Sequence, residues 1–153
     1  MAPLWQAVLG ARLENWTASD GFTTFGSGNS ANGHYAVRRQ TAVSPKAALS
    51  YQWRHDTTLK ASTGRAVRFP TVSELYGATS SVSSRYLNDP NLRPEKSWTT
   101  ELSAEKDLAS LGINGTARVT VFTENVRDSL YAQTVFEPAA NLNVSRVQNV
   151  GRI

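Results

Sequence analysis

Residues 46–54 read KAALSYQWR, and apolar and polar side chains alternate along them. This period of two is typical of a β-strand with one apolar face. The dipeptide His55-Asp56 allows a tight turn into residues 57–67, where the alternation resumes. There Leu59, Ala61 and Thr63 oppose Lys60, Ser62 and Gly64. The stretch therefore predicts a β-hairpin.

The same period extends outward from this hairpin along most of the chain. It predicts six strands, at 4–16, 44–54, 57–67, 97–107, 113–126 and 144–153. Short turns at 55–56 and 108–112 alternate with long polar loops at 17–43, 68–96 and 127–143. This alternation is typical of bacterial outer-membrane barrels, whose strands need only about 9–11 residues to cross the bilayer. The sequence predicts an all-β antiparallel up-and-down meander, a fragment of a transmembrane β-barrel.

The two faces of the predicted strands differ in chemistry. One face carries small and branched apolar residues, with Trp5, Trp53 and Trp98 near strand ends, where interfacial aromatic residues of barrels lie. The other face suits a wet interior, and its charged residues are Arg12, Glu14, Lys60, Glu101, Glu105, Arg118 and Glu124. We expect Arg118 and Lys106 to balance the carboxylates of the strand at 97–107.

A soluble β-sandwich, acting as a binding or adhesion module such as a carbohydrate-binding domain, has the same period. The two folds differ in where the large apolar side chains point. A sandwich predicts a dry core, and the barrel predicts exposure, for Trp5, Leu49, Tyr51, Trp53, Leu102, Val119 and Val121. Loops as long as those predicted here are uncommon in compact domains, which favours the barrel.

Composition excludes several classes of function. The 16 Lys+Arg exceed the 12 Asp+Glu by only four, and Arg38-Arg39 is the one adjacent basic pair, so no nucleic-acid partner is expected. With no Cys, thiol nucleophiles, disulfides and Cys-ligated metals are excluded. His34 and His55 are far apart and lack a Ser–Asp partner set. We predict no catalytic residues, no metal site, no cofactor and no enzymatic activity.

Two local motifs carry a resemblance to a known family. Residues 61–71 read ASTGRAVRFPT and lead into ELYG at 74–77, and residues 88–98 read NDPNLRPEKSW. Together they resemble the barrel of TonB-dependent outer-membrane receptors, where a strand commonly ends in GRGFRAP before ELY and an NPNLKPE loop. The closing QNVGRI, with its NVG, and SPKAALSY at 44–51 are similar to further segments of that family. Val67 and Phe69 depart from the pattern, because an aromatic and a small residue are usual there.

The resemblance implies an outer-membrane receptor that takes up a scarce nutrient, such as a ferric siderophore or a similar chelate, and performs no bond chemistry. It implies as partners the outer-membrane lipid, the TonB complex, a plug domain and an extracellular small-molecule ligand. The three long loops would face outside and the short turns the periplasm. Residues 1–153 would form a partial barrel without the plug domain.

Four residues are candidates for contact with a ligand or the plug. Arg65 and Arg68 are expected at the rim, and Glu101 and Arg118 on the polar face. Glu95 and Ser97 are expected to satisfy free amides where the chain re-enters the sheet.

The start of the chain shows no signal peptide, and six strands are fewer than the eight of the smallest membrane barrel. We therefore expect a truncated or partial reading frame whose isolated product neither inserts nor transports.

Overall fold

The computed structural model describes residues 4–23, 33–77, 79–81 and 83–153. Within these ranges the chain forms ten β-strands, one α-helix and one 3-10 turn at Ala109–Leu111. The elements are β1 (Trp5–Ala18), β2 (Phe22–Thr23), β3 (Gly33–His34), β4 (Arg38–Arg54), β5 (Thr57–Arg68), α1 (Val72–Tyr76), β6 (Thr79–Ser80), β7 (Ser84–Leu87), β8 (Glu95–Asp107), β9 (Thr116–Glu137) and β10 (Leu142–Arg152).

Eight strands form one sheet in the order β1-β4-β5-β8-β9-β10-β7-β6, and β2 pairs with β3 separately. The six long strands are neighbours in chain order, and the hairpins β4–β5 and β9–β10 are antiparallel. The short strand β7 pairs with β10 in parallel. The predicted all-β meander of six strands is therefore confirmed, with the short β7 and β6 added at one edge.

The long loop predicted at 127–143 is wrong. β9 continues to Glu137 and β10 begins at Leu142, so only four residues connect them. The paired residues in this stretch include Thr134 with Ser145 and Gln133 with Arg146. Apolar pairs also occur here, and they fall on both faces, as Val135 with Val144 and Ala132 with Val147 do. The single apolar face that identifies a strand in the sequence is therefore missing, although the backbone ladder is intact.

The other two long loops are shorter or more ordered than predicted. β1 extends to Ala18 and β4 begins at Arg38, while the predicted loop tip at 26–29 lies outside the described residues. The predicted loop at 68–96 contains α1, β6 and β7. β9 starts at Thr116 rather than 113, because Leu108 exchanges backbone hydrogen bonds with Ile113 and Gly115 in the preceding turn.

The chain divides into two compact units. Unit 1 comprises residues 1–13, 43–66 and 97–125, and unit 2 comprises 14–42, 67–96 and 126–153. In unit 1 no hydrophobic side chain of the described residues is buried, and Leu9 and Val119 are 82% and 70% exposed. The dry core of a soluble sandwich is thus absent from the described part of unit 1. Unit 2 has a small core whose buried members are Ala18, Leu75, Tyr76, Leu92 and Val147.

Candidate functional site

The polar face of unit 1 carries a three-residue charge cluster. Lys60 Nζ lies 3.1 Å and Arg118 Nε 2.9 Å from the same carboxylate oxygen, Oε2 of Glu105. Arg118 donates a further hydrogen bond to that oxygen through Nη2. Three strands, β5, β8 and β9, therefore meet in one ion-pair cluster, as the predicted charge balance between Arg118 and the β8 carboxylates requires.

Glu101 lies on the same face of β8, two strand repeats from Glu105. It is exposed and makes no ion pair with any residue that the structure describes. It lines a groove of about 410 Å³ together with Lys46 and Ser62. Glu101 is therefore a carboxylate of this face that remains open to an external cation or hydrogen-bond donor.

Lys106 does not balance this face, so that prediction is wrong. Its Nζ lies 3.0 Å from Oδ2 of Asp56, in the turn between β4 and β5. Alternation along β8 places residue 106 opposite residues 101 and 105, which explains the difference. Hydrogen bonds from Lys106, Thr57 and Ser110 hold the pKa of Asp56 well below its usual range. Through its hydrogen bond from Ser110, Asp56 also joins the two short turns of unit 1.

The two candidate arginines at the strand ends have different partners. Arg65 Nη1 donates to the carbonyl of Val43 at 3.2 Å in unit 1. Arg68 Nη2 donates to Oε1 of Glu74 at 2.7 Å in unit 2, so it contacts the helix in the following loop. Among the described residues, none of the four candidates, Arg65, Arg68, Glu101 and Arg118, forms an ion pair or hydrogen bond with another of them.

The helix α1 is fixed at its start by a capping box. The Thr71 hydroxyl accepts from the Glu74 amide, and the Glu74 carboxylate accepts from the Thr71 amide at 2.7 Å. Burial raises the pKa of Glu74, but the hydrogen bonds from Thr71 and the Arg68 guanidinium outweigh it and lower that pKa. This carboxylate therefore links the end of β5 to α1 in its ionised form.

The two motif segments contribute to the core of unit 2. Leu75, from ELYG, is 0% exposed and Leu92, from NDPNLRPE, is 1% exposed. The Asn88 side-chain amide donates to the Leu75 carbonyl at 2.8 Å, and Arg38 Nη2 donates to the Leu92 carbonyl at 2.8 Å. Residues of the two motifs therefore pack the loop between β5 and β8. This role cannot be read from the motif sequences alone.

Asn149 is a key residue that the sequence reasoning missed. Its amide pairs with both backbone groups of Arg93, accepting from the N–H at 2.7 Å and donating to the carbonyl at 2.9 Å. It also donates to the Asp128 carbonyl at 2.7 Å. Its position in the QNVGRI segment was the one feature of the sequence that could have identified it. The side chain imitates one step of a β-ladder and fastens the loop to β10.

Glu95 fulfils its expected role at the start of β8. Its Oε2 accepts from the Leu130 amide and the Ser129 hydroxyl, each at 2.9 Å. It therefore satisfies a backbone amide where the chain re-enters the sheet.

The four tryptophans fall into two groups. Trp5, Trp53 and Trp98 are 57%, 57% and 46% exposed. Trp16 instead stacks on Phe69 with ring centroids 5.6 Å apart and packs against the unit 2 core. This stacking gives the unusual Phe69 a partner. The three exposed tryptophans are those that the sequence places near strand ends.

Helices long and apolar enough to cross a membrane are not found among the described residues.

The comparisons with known proteins agree with this geometry. The family model "TonB dependent receptor-like, beta-barrel" matches residues 2–153. Among solved structures, the copper transporter OprC is 19% identical with a TM-score of 0.70, covering 98% of this chain and 22% of that one. The Serratia marcescens hemophore receptor HasR, a double mutant in complex with HasA and heme, is 16% identical with a TM-score of 0.65 and 95% and 26% coverage. No curated protein matches in sequence.

The chain therefore spans only about a quarter of the length of these structural neighbours, and their likeness at this identity shows the fold. The family match covers nearly the whole chain, and the chain belongs to the TonB-dependent receptor-like β-barrel family.

Proposed function

We propose that this chain is part of an outer-membrane receptor that takes up a scarce nutrient with energy supplied through TonB. The observation that carries the proposal is the chemistry of unit 1. Its large apolar side chains are exposed on one face of a sheet whose other face carries the Lys60–Glu105–Arg118 cluster. Exposed apolar area of this kind is costly in water and stable against hydrocarbon.

The proposed cargo is an iron–siderophore or a similar metal chelate. The names of the two structural neighbours refer to copper and to heme, so both concern a metal-bearing cargo. Ligand or plug contacts are proposed at Arg65, Arg68, Glu101 and Arg118. Glu101 is the most available of these, because Arg68 and Arg118 already have carboxylate partners.

The further partners proposed are a plug domain, the TonB complex and outer-membrane lipid. The charged side chains described above form ion pairs and hydrogen bonds that stabilise the fold. We propose that the receptor transports its cargo without making or breaking covalent bonds. Six long strands are fewer than the eight of the smallest membrane barrel, so we expect no transport by this chain on its own.

The test is growth of a strain from which the coding region of the whole proposed receptor has been deleted, with iron supplied only as a ferric siderophore. We expect growth to be lost, and a tonB deletion to cause the same loss, while free iron restores growth in both. The same comparison is made with heme and with copper as the limiting nutrient. Unchanged growth on the siderophore contradicts the cargo assignment, and loss that does not require TonB contradicts the proposed mechanism.

A further inference from the structure

The turn between β8 and β9 contains the dipeptide Asn114-Gly115. The side-chain carboxamide of an asparagine can react with the backbone amide of the next residue. The reaction is fastest before glycine, because glycine has no Cβ to hinder the approach of the two groups. Among the asparagines that the structure describes, Asn114 alone precedes a glycine. The dipeptide is therefore the candidate for a spontaneous modification in the described part of the chain.

The fold does not hold either of the two reacting groups. Asn114 is exposed, and its side chain makes no hydrogen bond with any residue that the structure describes. The Leu108 amide donates to the Gly115 carbonyl at 2.9 Å, and the Ile113 amide donates to the Leu108 carbonyl at 3.2 Å. The Gly115 amide itself donates to no group within the described ranges. The attacking nitrogen and the carboxamide that receives it can therefore approach each other.

The backbone at position 115 does not need a glycine. Gly112, at the end of the preceding 3-10 turn, has a φ of 74°, which lies in the left-handed region that favours glycine. Gly115 does not have such a positive φ. No atom of the described residues lies within 4 Å of a Cβ placed on Gly115. An alanine therefore fits at position 115, so the variant G115A keeps the fold while its Cβ hinders the reaction.

We propose that Asn114 deamidates spontaneously in the folded chain. The Gly115 nitrogen loses its proton to solvent and attacks Cγ of Asn114, so that a bond between these two atoms forms. The Cγ–Nδ2 bond breaks, Nδ2 takes up a proton and leaves as ammonia, and a cyclic succinimide remains. Water then opens the ring at either of its carbonyl carbons and gives aspartate or isoaspartate. The inference does not depend on the proposed function.

The isoaspartate product would alter the turn more than the aspartate product. In isoaspartate the main chain passes through Cβ and Cγ of residue 114, which adds one atom to the backbone just before β9 begins at Thr116. The hydrogen bond from the Leu108 amide to the Gly115 carbonyl closes the turn at this point. A longer backbone displaces that carbonyl, whereas aspartate adds only a negative charge. We therefore expect isoaspartate to loosen the start of β9.

The test incubates the full chain, refolded in detergent micelles, and identifies residue 114 by mass spectrometry of its peptides. We expect Asn114 to be lost as aspartate and isoaspartate appear, and to be lost faster in mildly alkaline buffer, because the deprotonated Gly115 nitrogen is the nucleophile. In G115A, Asn114 should be retained. Asn149 is the internal control, since hydrogen bonds to backbone groups of Arg93 and Asp128 hold its side chain, and it should be retained in both chains.

A synthetic peptide of residues 108–118 gives the rate of deamidation without the fold. An Asn114 that stays intact in the folded chain while the peptide reacts would overturn the proposal, and so would equal loss of Asn114 in the wild type and in G115A. Circular dichroism checks that both chains keep their strand content.

The variant N114D separates the added charge from the longer backbone. Hydrogen exchange of residues 108–116 should accelerate in the fraction that carries isoaspartate and should stay near the wild-type rate in N114D. Unchanged exchange in the isoaspartate fraction would overturn the expected loosening of the turn, and equal acceleration in N114D would assign that loosening to the charge.

Discussion

In unit 1 Leu9, Leu102 and Val119 expose more than half of their surface, whereas in unit 2 Leu75 and Leu92 are fully buried. Both units contain long strands of the same sheet, so backbone pairing does not explain the difference. Unit 2 has the loop elements α1 and β7, whose side chains pack on one another and on Val147. Unit 1 has only short turns. Loop packing therefore stabilises unit 2 in water, while the exposed apolar face of unit 1 suits an apolar surrounding.

The largest expected effect is on the free energy of unfolding, and it is measured at one leucine in each unit. L75A removes a fully buried side chain and should lower the free energy of unfolding by about 3 kcal/mol, because a cavity remains. L102A in unit 1 removes an exposed side chain and should cost less than about 0.5 kcal/mol. Urea unfolding in detergent micelles measures both. Equal costs at the two positions would contradict the division into a packed and an open unit.

A smaller effect is expected at the fastening of the loop. N149A removes three hydrogen bonds to backbone groups of Arg93 and Asp128 and should cost about 2–3 kcal/mol. The matched control is N143A in the same strand, because the Asn143 side chain makes no hydrogen bond among the described residues. Hydrogen exchange of residues 88–96 should accelerate in N149A alone. Equal exchange in both variants would show that Asn149 does not hold the loop.

A pH-dependent effect is expected at α1. The folded-state pKa of Glu74 lies below its ordinary value of 4.5, so its contribution to stability is complete above that value and lost as the pH falls through the lowered pKa. The protection of residues 72–77 against hydrogen exchange, corrected for the intrinsic pH dependence of amide exchange, should therefore fall on acidification in the wild type. E74Q should show weak protection at all pH values, and wild-type protection that is independent of pH in this range would contradict the role of Glu74.

The smallest effect is expected at the charge cluster of unit 1. R118Q breaks the pair with Glu105, and because both side chains are partly exposed to water, the loss of stability should be much smaller than that of L75A. Added salt should reduce the difference from the wild type. A loss as large as that of L75A would mean that this face is shielded from water.

The sequence predicts the parts of the fold in which one face is apolar. The strand at 57–67 is observed as Thr57–Arg68, and the strand at 97–107 as Glu95–Asp107. It fails at 127–143, where pairs such as Thr134 with Ser145 carry no apolar signal. A backbone ladder requires only N–H and C=O groups, so a strand pair without one continuous apolar face cannot be recognised from hydrophobic period.

The site is less predictable than the fold. Glu105 and Arg118 meet because register aligns β8 with β9, and the alternation of charged residues indicates their shared face. Asn149 contacts Arg93 across 56 positions of the sequence, and no local pattern reports such a distance. The motif segments correctly indicate which parts of the sequence are important. The contacts that their residues make can be identified only in the folded loop.

The most direct test of the central claim uses the four tryptophans in single-tryptophan variants refolded in micelles of a brominated detergent, which covers exposed apolar surface without requiring insertion into a bilayer. If the apolar face of unit 1 is built for hydrocarbon, Trp5, Trp53 and Trp98 should be strongly quenched by the detergent bromines. Trp16, which stacks on Phe69 in unit 2, should keep its fluorescence. Quenching of Trp16 alone, or of none of the three exposed tryptophans, would contradict the assignment of this chain to a membrane-spanning sheet.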